Sequence, residues 1–172
     1  MIKKVIGFDV STITGVSIMT VINKEINNVT YEIEFKKLKG IQRVSAFYNA
    51  FDTLLENQDP ELVIIEGYGY ASNNIVPSVE IGTALRLCCY NRNIPYHCIA
   101  PTALKKFVTG KGNSPKEVMM MTALKRWGFE AKTNNEADAY GLARIGLMVL
   151  NHTVATNAYE REMLLTLQGD IE

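Results

Sequence analysis

The chain has 172 residues, 47% hydrophobic and 21% charged, which suits one globular domain with a sizeable core. Eighteen bases balance eighteen acids, so bulk charge announces no nucleic-acid partner, and any basic surface must be local. No apolar run approaches the ~20 residues of a membrane span, the N-terminus lacks a leader-type apolar stretch, and Cys88, Cys89 and Cys98 lack the C-x-x-C spacing of zinc or redox sites. These features predict reduced thiols and a cytoplasmic protein with no membrane association.

Residues 5–9 are an apolar run ending in Asp9 and read as a buried central strand. Residues 15–22 are rich in strand formers and return antiparallel after a short turn. In residues 29–35 Val29, Tyr31, Ile33 and Phe35 alternate with Thr30, Glu32 and Glu34, a half-exposed third strand. Residues 40–57 place Ile41, Val44, Phe47, Tyr48, Phe51, Leu54 and Leu55 at helical spacing. Residues 62–66 are a fourth strand ending in Glu66, and a polar loop follows to about residue 77. A helix is predicted over 78–91, facing inward through Val79, Ile81, Gly82, Leu85 and Cys89. A short strand follows at 96–99 and a short helix at 104–108.

The next helix has a sharp start signal: Ser114 as N-cap, Pro115 at the first position and Glu117 at the third, with Gly128 suited to the left-handed position past its end. A last core helix is predicted over 136–150. The amphipathic stretch 158–167 reads either as a peripheral helix or as a partly disordered tail. The division is thus a domain over 1–151 and a tail over 152–172. The fold class is α/β: a mixed five-stranded sheet, three antiparallel strands then parallel ones, with helices on both faces.

A carboxylate at the tip of a core strand is costly to desolvate unless a cation meets it. Asp9 and Glu66 both stand there, and Asp138 opens the last helix. Three such groups held together repel, by roughly 4 kcal/mol per pair at 4 Å and an effective dielectric near 20, and bound cations reverse that sign. The pattern predicts a metal-dependent enzyme acting on phosphodiesters. Taken singly, Asp9 has an alternative role in the following turn, Glu66 as a solvated strand end, and Asp138 as a first-turn acid. Residues 101–126 hold six bases (Lys105, Lys106, Lys111, Lys116, Lys125 and Arg126) against the single acid Glu117, either a DNA-facing surface or a solvated helix face. Tyr68 and Tyr70, just past Glu66, either stack on an unpaired base or pack in their loop. His97 and Trp127 read as structural, and Met119–Met121 as helix core.

Across residues 1–150 these motifs resemble the RuvC family of Holliday-junction resolvases, within the RNase H-like superfamily. The matching stretches are Ile6–Gly7–Phe8–Asp9 with Thr14–Gly15, Val63–Ile64–Ile65–Glu66, Gly82–Thr83–Ala84–Leu85–Arg86, residues 101–116 with their spaced lysines, and Glu136–Ala137–Asp138–Ala139. The resemblance implies a structure-selective endodeoxyribonuclease that cuts four-way or branched DNA with two magnesium ions, for which manganese substitutes. It implies Asp9, Glu66 and Asp138 as metal ligands, with Lys116 catalytic. Lys105, Lys106, Lys111, Lys116, Tyr68 and Tyr70 are implied on DNA. It also implies a homodimer through the helix near residues 81–90.

The family carries a second acid three residues before its last aspartate. Here that position is Asn135, so Asn135 and Glu136 are the alternatives for a fourth ligand. The short chain is similar to phage-encoded members, which sets its expected location in a bacterial or host cytoplasm. Two other classes compete: a non-catalytic DNA-binding module of the same fold, and an actin-like ATPase or kinase fragment, whose phosphate loop is similar to residues 9–15.

Overall fold

A computed structural model describes residues 3–68 and 75–169. Strands β1 (Lys3–Asp9), β2 (Ile13–Ile22) and β3 (Glu25–Glu34) form an antiparallel meander. Helix α1 (Gly40–Gln58) leads to β4 (Leu62–Glu66), and α2 (Ile75–Asn91) leads to β5 (Tyr96–Ile99); each strand adds parallel to its neighbour. Helices α3 (Pro101–Thr109), α4 (Lys116–Trp127), α5 (Asn134–Val149) and α6 (Ala158–Gly169) complete the chain. The sheet order is β3-β2-β1-β4-β5, the expected mixed five-stranded sheet.

Strand parity divides the core in two. Ile6, Phe8, Val63 and Ile65 pack with Phe47, Phe51, Ile81 and Leu85 from α1 and α2. Val5, Leu62 and Ile64 pack on the opposite face with Leu142, Ile145 and Leu147 of α5 and residues of α3, α4 and α6. Successive strand residues point to opposite faces. Asp9 therefore shares the face of Val5, and Glu66 that of Leu62 and Ile64, so both turn toward α5. Gly7 lets α5 approach closely: a Cβ there would stand 2.5 Å from the Ala143 amide nitrogen.

The structure departs from the sequence reading at several ends. Helix α2 begins at Ile75, ahead of the predicted residue 78, and takes Pro77 into its first turn, where a missing amide hydrogen costs nothing. Helix α3 starts at Pro101 by the same logic. Ile41 in the first turn of α1 is exposed (79%), whereas Phe47, Phe51 and Leu55 are buried. Met119 lies in the core but Met121 is exposed.

The predicted capping box at Ser114 does not form. Pro115 is the N-cap of α4, without a side-chain cap. Ser114 Oγ instead donates to the Lys111 carbonyl at 3.0 Å and lies 2.6 Å from Thr109 Oγ1. Gly128 takes the left-handed position after α4 (φ 68°), as predicted. The stretch after residue 157 is helical and packs on the core through Met163 and Leu167. Cys88, Cys89 and Cys98 are all free thiols. Among the described residues no helix is long and apolar enough to cross a membrane.

Candidate metal and nuclease site

The site lies at the carboxyl edge of the sheet. Asp9 ends β1 and Glu66 ends β4, adjacent parallel strands. Asp138 sits in the second turn of α5. The turn between β1 and β2 closes on itself: Thr14 Oγ1 donates to the Ser11 carbonyl at 2.7 Å, and Ser11 Oγ to the Ile13 carbonyl at 2.7 Å. Local hydroxyls thus hold this turn, and Asp9 faces the other acids.

Electrostatics bind the three carboxylates into one cluster. Asp9 is 7% exposed. Burial first, then the charge of Glu66, a hydrogen bond with it and the charge of Asp138 hold Asp9 well above the usual carboxylate range. Burial pushes Glu66 up to about 7, with Asp138 adding to the rise and the Asp9 hydrogen bond, Lys105 and Lys116 opposing it. Burial pushes Asp138 up to about 6, against the pull of Lys116 and Lys105. The two carboxyls titrate as a coupled pair that holds a proton to higher pH than a free carboxyl does. Among the described residues no three acid, histidine or cysteine side chains close around one point. The arrangement is a bonded pair plus a third carboxylate coupled through its charge.

This donor set is all oxygen and lacks soft ligands, which suits a hard divalent cation. A cation bound there would reverse the mutual repulsion of the three carboxylates. Lys105 and Lys116, on α3 and α4, bring positive charge to the same place, as the anionic oxygens of a phosphodiester need.

The other predicted site residues are placed as follows. Asn135 Nδ2 donates to the Ile13 carbonyl at 3.0 Å and to Glu32 Oε1 at 3.0 Å, turning its amide toward β2 and β3. Glu136 is buried, and its Oε2 accepts the Lys132 amide at 2.7 Å, while Thr133 Oγ1 accepts the Glu136 amide. Glu136 thus helps start α5. Lys106 Nζ lies 3.9 Å from the centre of the Tyr159 ring, directed to α6. Arg126, counted in the basic stretch, donates to the Phe107 and Val108 carbonyls and to Glu160 at 2.8 Å. It fastens α3 to α6 and leaves the basic surface to the lysines. Lys111 is exposed in the turn before α4. Tyr68 packs on α2, its hydroxyl donating to the Val79 carbonyl at 3.3 Å and its ring beneath Arg86. Tyr70 lies outside the described residues.

Glu32 went unrecognised as a contributor to the site. It receives both Thr133 Oγ1 at 2.7 Å and Asn135, and so fixes the start of the helix that carries Asp138. Its only sequence signal is its place on the polar face of an alternating strand.

Comparison with known proteins supplies independent findings. Residues 5–145 match the family model described as crossover junction endodeoxyribonuclease RuvC. A protein of that description from Carboxydothermus hydrogenoformans is 26% identical over 152 residues, spanning 84% of this chain and 96% of its own. The Thermus thermophilus RuvC structure superposes with a TM-score of 0.70 at 17% identity, covering 100% of this chain and 99% of its own. T. thermophilus RuvC in complex with a Holliday junction substrate gives 0.69 at 18% identity, covering 82% and 90%. At these identities the superpositions speak to the fold.

Proposed function

The chain belongs to the RuvC family of crossover junction endodeoxyribonucleases, and on that footing we propose that it resolves four-way DNA junctions by metal-assisted phosphodiester hydrolysis. The observation that carries this reading is the meeting of Asp9, Glu66 and Asp138 with Lys105 and Lys116 at one sheet edge. The family uses divalent cations. Here the proposed load is two magnesium ions per site, or manganese in their place, held by Asp9, Glu66 and Asp138. When bound, such ions supply Lewis acidity for water activation and charge for the leaving oxygen.

The chain's own groups do the rest. Asp9 and Glu66 would hold such an ion as a pair of ionised carboxylates from adjacent strands. Asp138 adds a third from α5. Lys116, in the first turn of α4, is aimed at the phosphate, and Lys105 shares its charge. Asn135 and Glu136 serve the geometry of α5 through the hydrogen bonds described above.

We further propose a homodimer, since a symmetric junction offers two equivalent strands to a two-fold pair of sites. Helix α2 keeps an exposed stripe for it: Val76, Thr83, Leu87 and Tyr90 face outward while Ile81, Leu85, Cys88 and Cys89 fill the core.

The test is nicking of a labelled four-way junction in magnesium beside plain duplex, a flap and an Asp138→Asn control. Paired symmetric nicks in the junction, absent from the control, support the reading. Equal cutting of plain duplex would remove junction selectivity from it.

A further inference from the structure

We propose that the connection between β3 and α1 is a second DNA-contacting surface, a basic lip that holds phosphates of a duplex arm across the site from Lys105 and Lys116; this rests on the nuclease reading above. Residues 36–43 run Lys-Lys-Leu-Lys-Gly-Ile-Gln-Arg, four cations and no acid in eight residues. In a chain with equal acids and bases, such a run makes a local positive field. Lys36, Lys37 and Lys39 are exposed. Among the described residues, Lys36 alone of the four cations joins an ion pair, a surface contact of 3.3 Å with Glu34. Arg43 Nε is buried and lacks a hydrogen-bond partner among the described residues.

The sheet fixes where this run lies. Asp9 pairs with Gly15, and Gly15 pairs with Glu32, so the three form one row across the strands. Two strand spacings put Glu32 about 10 Å from Asp9. Strand β3 runs parallel to β1, because both are antiparallel to β2. It therefore leaves the sheet at the edge where the carboxylates stand, and Glu34 is its last residue. A turn closed by the Leu38 amide on the Phe35 carbonyl, 3.1 Å, then holds the lysines at this end of the sheet, ahead of α1. Helices α3 and α4, with Lys105 and Lys116, follow β5 at the opposite border of the sheet. The carboxylates lie between two cationic borders.

The charge sign, the lack of any ion pair at Lys37, Lys39 and Arg43 among the described residues and the place beside the carboxylates fit one occupant, a phosphate backbone. Each strand of a duplex carries a charge about every 3.4 Å of axis, so a lip roughly 10–15 Å from the cut faces phosphates about three or four nucleotides away. Such contacts set register and affinity, with no base preference of their own.

The test compares junction affinity across a salt series, without divalent metal, for wild type, the Lys36→Gln/Lys37→Gln/Lys39→Gln variant and Lys24→Gln. Lys24 is an exposed lysine in the β2–β3 turn, at the opposite end of the sheet. The triple variant is expected to bind about tenfold more weakly, its log–log salt slope shallower by about 0.9 per lost phosphate contact. Lys24→Gln is expected to match wild type. Unchanged affinity and slope in the triple variant overturn the lip and leave the nuclease reading standing. An equal loss in Lys24→Gln also overturns it, since that marks diffuse charge. A wild-type protein that binds no branched DNA overturns the nuclease reading and the lip together.

Discussion

Asn135 Nδ2 and Glu32 Oε1 lie 3.0 Å apart, joining the start of α5 to the final residues of β3. Thr133 Oγ1 reaches the same carboxylate oxygen at 2.7 Å. Gly15 makes this approach possible: a Cβ there would stand 2.6 Å from the Asn135 carbonyl carbon. The amide suits this position, because it donates to both a carboxylate and the Ile13 carbonyl. A carboxylate at 135 has nothing to donate.

Asn135→Asp is therefore expected to destabilise the fold by about 2 kcal/mol, the cost of unpairing acceptors and adding like charge. Glu32→Gln in the same chain is expected to recover part of that loss, since its amide can donate to Asp. Urea unfolding of the two single variants and the double variant measures the coupling. A stabilised Asn135→Asp protein would contradict the assignment.

The site acids predict a pH dependence of stability in the metal-free protein. Glu66 at about 7, Asp138 at about 6 and Asp9 above its usual range all titrate higher folded than unfolded. The folded state thus holds more protons between pH ~4 and 7, so this contribution is full at low pH and lost as pH rises through that window. Melting is expected several degrees lower at pH 8 than at pH 5, since about 1 kcal/mol moves the midpoint by 2–4 °C in a domain of this size. Added magnesium should restore the midpoint at pH 8 and do much less at pH 5. A midpoint that rises steadily from pH 5 to 8 without metal would contradict the cluster.

Arg126 links three elements, and Glu160 beside it is nearly inaccessible. Although burial raises Glu160, the Thr156 amide and hydroxyl together with Arg126 hold it below its usual range. Arg126→Met is expected to cost about 3 kcal/mol, mostly by leaving the buried Glu160 carboxylate without its cation, bonded only to the Thr156 amide and hydroxyl. Arg126→Met with Glu160→Gln should be less destabilised than Arg126→Met alone. Denaturant midpoints decide this, and equal stability of Arg126→Met and wild type would show the pair to be inert.

The strands were legible in the sequence because short apolar runs bounded by turn residues have few other meanings in a compact fold. Parity alone puts Asp9 and Glu66 on one face. The cap at Ser114 was misread because its hydroxyl had a nearer partner in the Lys111 turn. The working cap, Thr133 with Glu136 three residues on, fits the same pattern and passed unnoticed beside the metal-ligand question. Within the basic stretch, Arg126 and Lys106 turn to α6 through partners far along the chain, which no local pattern signals. The bond between Glu32 and Asn135 spans 103 positions, and nothing local to either residue signals it.

The central claim, that Asp9 belongs to a cation site that cuts junction DNA, is tested most directly by Asp9→Asn. The measurement is single-turnover cleavage of a four-way junction in magnesium, with junction affinity measured on the same protein. The account predicts loss of cleavage with affinity retained, because the basic surfaces that hold phosphate are untouched. Cleavage at the wild-type rate by Asp9→Asn would contradict it.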